Sequence, residues 1–100
     1  MDYSIIKTTC ANKDEAKKLA KMLVKKQYAA CVQMIPIDSV YLWDGKMCGN
    51  SEIALFIKPK LTFFEEIAHI IKKNHSYEVP EIIQIPIING LPEYLKWIDS

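Results

Sequence analysis

Apolar residues recur along this chain with two different periods, and the period changes where the elements change. Tyr3 to Cys10 reads as a first strand, with Ile5 and Ile6 buried and Lys7 exposed or free for function. Asn12 then caps a helix, with Glu15 three residues on as in a capping box. From Asp14 to Lys26 the residues Ala16, Leu19, Ala20, Leu23 and Val24 recur at helical spacing. Lys17, Lys18, Lys21, Lys25 and Lys26 fall mostly off that face and read as a solvated surface or an anionic docking stripe. A long β-rich stretch from Ala30 to Lys58 follows, interrupted by Asp44-Gly45. That dipeptide predicts a type I′ hairpin turn, which needs positive φ at both central positions. Lys58-Pro59-Lys60 closes the hairpin. Thr62 to Glu65 predicts a second capping box, and Phe63, Phe64, Ile67, Ala68, Ile70 and Ile71 an amphipathic helix to about Asn74. A polar connection, His75 to Pro80, leads into a strand from Glu81 to Ile87. Asn89-Gly90 marks a turn, and Pro92 suits the first turn of a last helix from Leu91 to Ile98.

The order is β-α-β-β-α-β with an extra C-terminal helix, the split βαβ or ferredoxin-like arrangement of the α+β class. Right-handed crossovers place the first and third strands centrally and the second and fourth at the edges. Pro36 and Pro86 lie in those two edge strands, where a missing N–H donor is tolerated. The first hairpin arm is about 13 residues, or roughly 43 Å at strand rise, whereas a 100-residue domain is only about 34 Å across. The arm therefore bends, with Pro36 a candidate bulge, or pairs with another chain. An apolar edge from Met34 to Trp43 invites aggregation if left open. Covering it through the second strand and hairpin of identical copies predicts a homo-oligomer.

One hundred residues form a single domain, 1–100. Half are apolar, which is against disorder. The net charge is +1, so no global field recruits nucleic acid or membrane. All 13 basic residues are Lys, and without Arg the chain lacks the fork that reads guanine edges. Three cysteines without CxxC spacing argue against a disulfide framework or a structural zinc site. Free thiols and no apolar signal segment after Met1 point to the cytoplasm. No apolar run is long enough to span a bilayer.

The densest polar group is His75-Ser76-Tyr77-Glu78-Val79-Pro80-Glu81, with an imidazole, a phenol and two carboxylates. It sits in a loop between a helix end and an edge strand, where function concentrates. His75 suits a metal ligand, a proton shuttle, or a helix-end histidine favoured by the dipole. With Glu81 it would make an acid–base pair. Lys58, ending the third strand, suits an anion partner, and Tyr41 and Trp43 suit a ligand wall or a packing surface. Cys31 opens the second strand as a small hydrophobe or a soft metal ligand. Lys58, Tyr77 and Glu81 are expected to converge in a cleft, within one subunit or with part of the cluster supplied by a neighbouring one. No Ser-His-Asp set, phosphate loop or dinucleotide fingerprint is present.

Taken together, Ala29-Ala30-Cys31-Val32 with Ile35-Pro36, Ser39-Val40-Tyr41-Leu42-Trp43-Asp44-Gly45-Lys46, Ile57-Lys58, His75-Ser76-Tyr77-Glu78-Val79-Pro80-Glu81-Ile82 and Tyr94-Leu95-Lys96-Trp97-Ile98 resemble the CutA family of divalent-cation tolerance proteins. The resemblance runs over nearly the whole chain. It implies a ferredoxin-like homotrimer whose hairpins reach onto neighbours, binding of copper or another divalent metal ion, and no enzymatic reaction. His75 and Cys31 are the candidate ligands. Some bacterial members resembling this chain carry Cys where it has Thr8 and a His pair where it has Asn74-His75. Cys10, two residues beyond Thr8, shares the sheet face of Thr8 if the strand continues. By shape the family also resembles trimeric signalling proteins, so a sensor of a small anionic ligand with Lys58 as charge partner is the second expectation.

Overall fold

A computed structural model describes residues 3–100. Its elements are β1 (Tyr3–Cys10), α1 (Lys13–Lys25), β2 (Ala29–Trp43), β3 (Lys46–Pro59), α2 (Phe64–Lys73), β4 (Ile83–Ile87) and α3 (Pro92–Ile98). The sheet order is β2-β3-β1-β4, every neighbouring pair antiparallel. β1 and β3 are therefore central and the two proline-bearing strands are edges, as the pattern predicts. β1 and β2 run parallel with β3 between them, and β3 and β4 run parallel with β1 between them. These are two interleaved βαβ units, and their common handedness puts both crossover helices on one face.

Alternation decides what that face carries. Ile6, Thr8 and Cys10 of β1 point to the helices beside Leu55 and Ile57 of β3 and are buried. They meet Ala16, Leu19, Ala20 and Leu23 of α1 and Ile67 and Ile71 of α2 in one core. Asn12 caps α1, its Oδ1 accepting from the Glu15 N–H at 2.9 Å. Only half of the capping box forms, because the Glu15 carboxylate is used elsewhere. α1 ends in a Schellman motif: the N–H groups of Gln27 and Tyr28 donate to the carbonyls of Val24 and Leu23, with Gln27 at φ 62°.

Three expectations shift by local packing. The capping box at Thr62 does not form; the N-cap is Phe63, without a side-chain bond, and its ring packs on Tyr28 at 4.9 Å. Burying that ring places the helix start one residue later than Thr62 requires. β4 begins at Ile83 rather than Glu81, its ladder with β1 stopping at Lys7. Beyond Lys7 a loop side chain replaces it, His75 Nε2 donating to the Thr9 carbonyl at 2.5 Å. Pro36 is not a bulge, since it pairs in register with Ile53; the register shift lies between Ala29 and Cys31.

The Asp44-Gly45 turn has φ of 53° and 74°, as type I′ requires. From it the hairpin stays in register from Trp43↔Lys46 to Cys31↔Lys58. The domain measures 45 × 26 × 22 Å, with a radius of gyration of 14.3 Å, against about 13 Å for a compact chain of this length. The overhanging hairpin leaves Val40, Leu42, Trp43 and Met47 at 66–74% exposure. α3 returns the chain to the far end of β3, where Lys60 Nζ donates to the Ser100 carbonyl. No helix among the described residues is long and apolar enough to cross a membrane.

Candidate functional site

The in-register hairpin dictates the first wall of the site. Residues directly opposite on paired strands share a face. Tyr41↔Cys48, Ser39↔Asn50 and Ile37↔Glu52 therefore stand with Trp43 on the face turned away from α1 and α2. The α2–β4 loop supplies the second wall through Tyr77, Glu78 and Val79. Between them lies a groove of about 500 Å³ lined by Tyr41, Trp43, Cys48, Asn50, Glu52, Tyr77, Glu78 and Val79.

Hydrogen bonds pin both walls. Tyr77 Oη donates to Glu52 Oε2 at 2.8 Å, and Asn50 Nδ2 donates to Tyr41 Oη at 2.7 Å. Burial alone would raise the pKa of Glu52. Hydrogen bonds from Ser39, Tyr77 and Thr9 outweigh it and hold the carboxyl below its ordinary value. Burial, then the hydrogen bond and charge of Glu52, push the Tyr77 phenol up to about 12.

Behind the groove the network continues inward. The His75 ring lies 4.8 Å from that of Tyr77, and its side chain is fully buried. Nε2 faces the Thr9 carbonyl, and Nδ1 accepts from the Tyr77 N–H at 3.0 Å. This pattern assigns the proton to Nε2. An accepting Nδ1 carries no proton, so the Glu15 oxygen 3.7 Å away is a neighbour rather than an ion-pair partner. Glu15 instead accepts from the Ser76 N–H at 3.1 Å and from Ser76 Oγ at 3.0 and 3.1 Å. The same carboxylate faces Cys10: ligand atoms of Cys10, Glu15 and His75 lie within 4.8 Å of one another. Burial first, then Glu15 and Glu52, push the Cys10 thiol up to about 12.

The expected site residues divide. Tyr41, Trp43, Tyr77 and Glu78 come together around the groove, with His75 immediately behind it. Lys58 does not join them: its ammonium donates to Tyr94 Oη and lies 4.8 Å from that ring's centroid. Glu81 pairs with Lys7 at 3.0 Å. The expected convergence of Lys58, Tyr77 and Glu81 thus fails within one subunit, because each side chain has a different partner. His75 and Glu81 do not form an acid–base pair either. Cys31 sits opposite Lys58, near the end of the ladder away from the turn, whereas Glu52 pairs at its middle with Ile37; the thiol that meets His75 is that of Cys10. Glu15, Glu52 and Asn50 escaped the sequence reading as site residues. The two-residue turn carried the signal for the last two, since it sets which residues oppose Tyr41 and its neighbours. A larger surface groove of about 630 Å³ runs between α1 and α2, lined by residues such as Lys26, Glu66 and Lys73. Its charges are mixed and belong to helix surfaces, whereas the perturbed groups cluster at the hairpin groove.

Fold and site define a class: a small ferredoxin-like domain with a protruding hairpin, an aromatic-lined groove and an adjoining thiol–imidazole–carboxylate group. Residues 4–100 match the CutA1 divalent ion tolerance protein family, and the chain belongs to that family. The divalent-cation tolerance protein CutA of Archaeoglobus fulgidus is 40% identical over 98 residues, spanning 98% of this chain and 96% of its own. The chloroplastic CutA of Arabidopsis thaliana is 40% identical over 97 residues, spanning 96% of this chain but 53% of its own. The chain thus spans about half the length of the plant relative and nearly all of the archaeal one. The solved structure of the Archaeoglobus protein, described as periplasmic, superposes with a TM-score of 0.93 at 40% identity, over 97% of this chain and 95% of that one. CutA1 from Oryza sativa gives 0.93 at 36% identity, over 98% and 91%. The family and the Archaeoglobus protein are named for ion tolerance, and none of these relatives is named for an enzymatic reaction.

Proposed function

We propose that this protein is a cytoplasmic, homotrimeric divalent-cation tolerance protein that takes up copper, or another soft or borderline divalent ion, at Cys10, Glu15 and His75. The observation that carries this reading is the approach of three different donor types, sulfur, imidazole nitrogen and carboxylate oxygen, to within 4.8 Å of one another. Sulfur and imidazole favour copper and zinc over magnesium and calcium. The donors fit such an ion at a cost. Cys10 must lose a proton that burial holds to about 12, and His75 Nδ1 must release the Tyr77 N–H. Binding is therefore weak to moderate and strengthens as pH rises. Calorimetry with copper under reducing, oxygen-free conditions tests this. Cys10→Ser and His75→Ala should each lose the binding heat, while Cys31→Ser should keep it. Isotherms identical to the wild type in the first two variants would remove the site.

The trimer rests on a separate argument. β2 is bonded to β3 on one side only and leaves a 15-residue edge. The sheet face away from the helices carries half-exposed Ile35, Ile83 and Ile85. A second copy covering edge and face satisfies the open backbone groups, and three head-to-tail contacts close a ring without making a fibre. Sedimentation equilibrium should return three times the 11.5 kDa chain mass; a monomer at micromolar concentration would overturn the assignment. The anion-sensor reading has less support, since Lys58 is held by Tyr94 and the charges in the groove are carboxylates.

A further inference from the structure

Two of the three metal candidates have donor atoms that the chain itself already uses. Glu15 Oε1 is the oxygen that faces the imidazole, 3.7 Å from His75 Nδ1. It accepts from the Ser76 N–H at 3.1 Å, and the Ser76 hydroxyl is shared between Oε1 at 3.1 Å and Oε2 at 3.0 Å. His75 Nδ1 gives its lone pair to the Tyr77 N–H at 3.0 Å. We propose that Ser76 and Tyr77 form a latch over the donors: they set the affinity of the site, and the α2–β4 loop leaves α1 when Glu15 and His75 take an ion. The inference rests on the copper reading of Cys10, Glu15 and His75 and adds what regulates that site.

In other respects the imidazole is set for coordination. Its Nε2–H donates to the Thr9 carbonyl, and a ligating histidine is commonly held in one tautomer by such a backbone oxygen. Nδ1 is then the nitrogen without a proton, and the Tyr77 N–H is the group that covers it. A lone pair serves one partner at a time, so Nδ1 reaches an ion only after the Tyr77 N–H departs. A carboxylate oxygen has about two lone-pair positions, and the Ser76 N–H and hydroxyl engage both on Oε1. The covering groups belong to adjacent residues, so one displacement of the loop frees both donors. Tyr77 carries that displacement outward, because its Oη also donates to Glu52 Oε2 on β3 at 2.8 Å. Uptake at the buried donors is thereby coupled to the hairpin. All of these bonds lie within one chain, so the latch is present whether or not a neighbouring copy covers the hairpin. Ser76 acts through Glu15 and is a positioning residue.

Copper calorimetry under reducing, oxygen-free conditions tests the latch by comparing the wild-type assembly with Ser76→Ala and Ser76→Thr. Ser76 is exposed, and alanine keeps its backbone N–H. Removing the hydroxyl that competes with the ion should tighten copper binding about two- to tenfold, the worth of one net hydrogen bond. Threonine restores the hydroxyl and should return the wild-type affinity. The second readout is amide hydrogen exchange at Ser76 and Tyr77 by NMR, which needs no substitution and stands even if Ser76→Ala fails to fold. A ligand of the folded state ordinarily slows exchange. Copper should instead speed it at these two amides, and Cys10→Ser should abolish the change. Unchanged or weakened affinity in a folded Ser76→Ala would overturn the latch, as would unchanged or slower exchange at either amide. Wild-type protein that gives no copper heat would overturn the metal site and the latch together. Heat that is lost in Cys10→Ser but unaltered in Ser76→Ala would overturn the latch alone.

Discussion

Replacing Thr8 by valine should stabilise this protein, against the usual direction of core substitutions. Thr8 is fully buried in β1, between the inward-facing Ile6 and Cys10 and opposite Leu55. Its Oγ1 has no hydrogen-bond partner among the described residues. A buried hydroxyl without a partner costs roughly 1–3 kcal/mol in mutational data. Valine places a methyl where the hydroxyl stands, so no cavity opens and the β-branched shape still suits the strand. Thr8→Val should therefore gain about 1–3 kcal/mol per chain, the hydroxyl penalty itself. Thr8→Ala removes the methyl as well and should lose part or all of that gain to a cavity. Guanidinium unfolding at one fixed subunit concentration is the assay, because the midpoint of an oligomer moves with concentration. The expected result is a higher midpoint with an unchanged slope. A midpoint that is unchanged or lowered would refute the reasoning, because it would mean that the hydroxyl is bonded in the folded protein.

Two further expectations concern charge and assembly. Tyr77 and Cys10 keep their protons to about 12 in the folded chain, above ordinary values of 10.0 and 9.0. The native state then binds more protons than the unfolded chain, so their contribution is intact below pH 9 and is lost as pH rises towards 12. Melting temperature measured across that window should fall, and the double change Tyr77→Phe with Cys10→Ala should flatten the fall; an equal slope in the variant would assign the effect elsewhere. Val40, 74% exposed in the single subunit, lies on the edge strand assigned to the trimer contact. Val40→Asp should give aggregated or unfolded protein, and a soluble monomer with a native circular-dichroism spectrum would contradict that contact.

The amino-acid pattern by itself determined the element order, the two central strands and the hairpin turn, while the register along the arm was decided by the sheet, since Pro36 pairs in register with Ile53. Each of the first three follows from a local rule. Helical spacing marks α1 and α2, proline marks the two edge strands, and Asp44-Gly45 permits the positive φ that the turn needs. The His75–Glu81 loop was also legible as a polar group in a loop, and four groove residues, Tyr41, Trp43, Tyr77 and Glu78, were named from it and from the hairpin. What the pattern could not supply was the choice of partners. Lys58 and Glu81 carry free-looking charges in the sequence, yet Tyr94 and Lys7 reach them first, from residues far along the chain. Glu15 looks like a capping residue, but its carboxylate turns to Ser76 because the α2–β4 loop folds over the start of α1. Cys10 and Cys31 are equivalent as letters. Only the pairing of β1 beside the His75 loop, and of Cys31 with the Lys58 end of β3, separates the thiol that meets an imidazole from the one that does not. Local periodicity fixes backbone form within a few residues, whereas a site joins side chains whose proximity exists only after the sheet has closed.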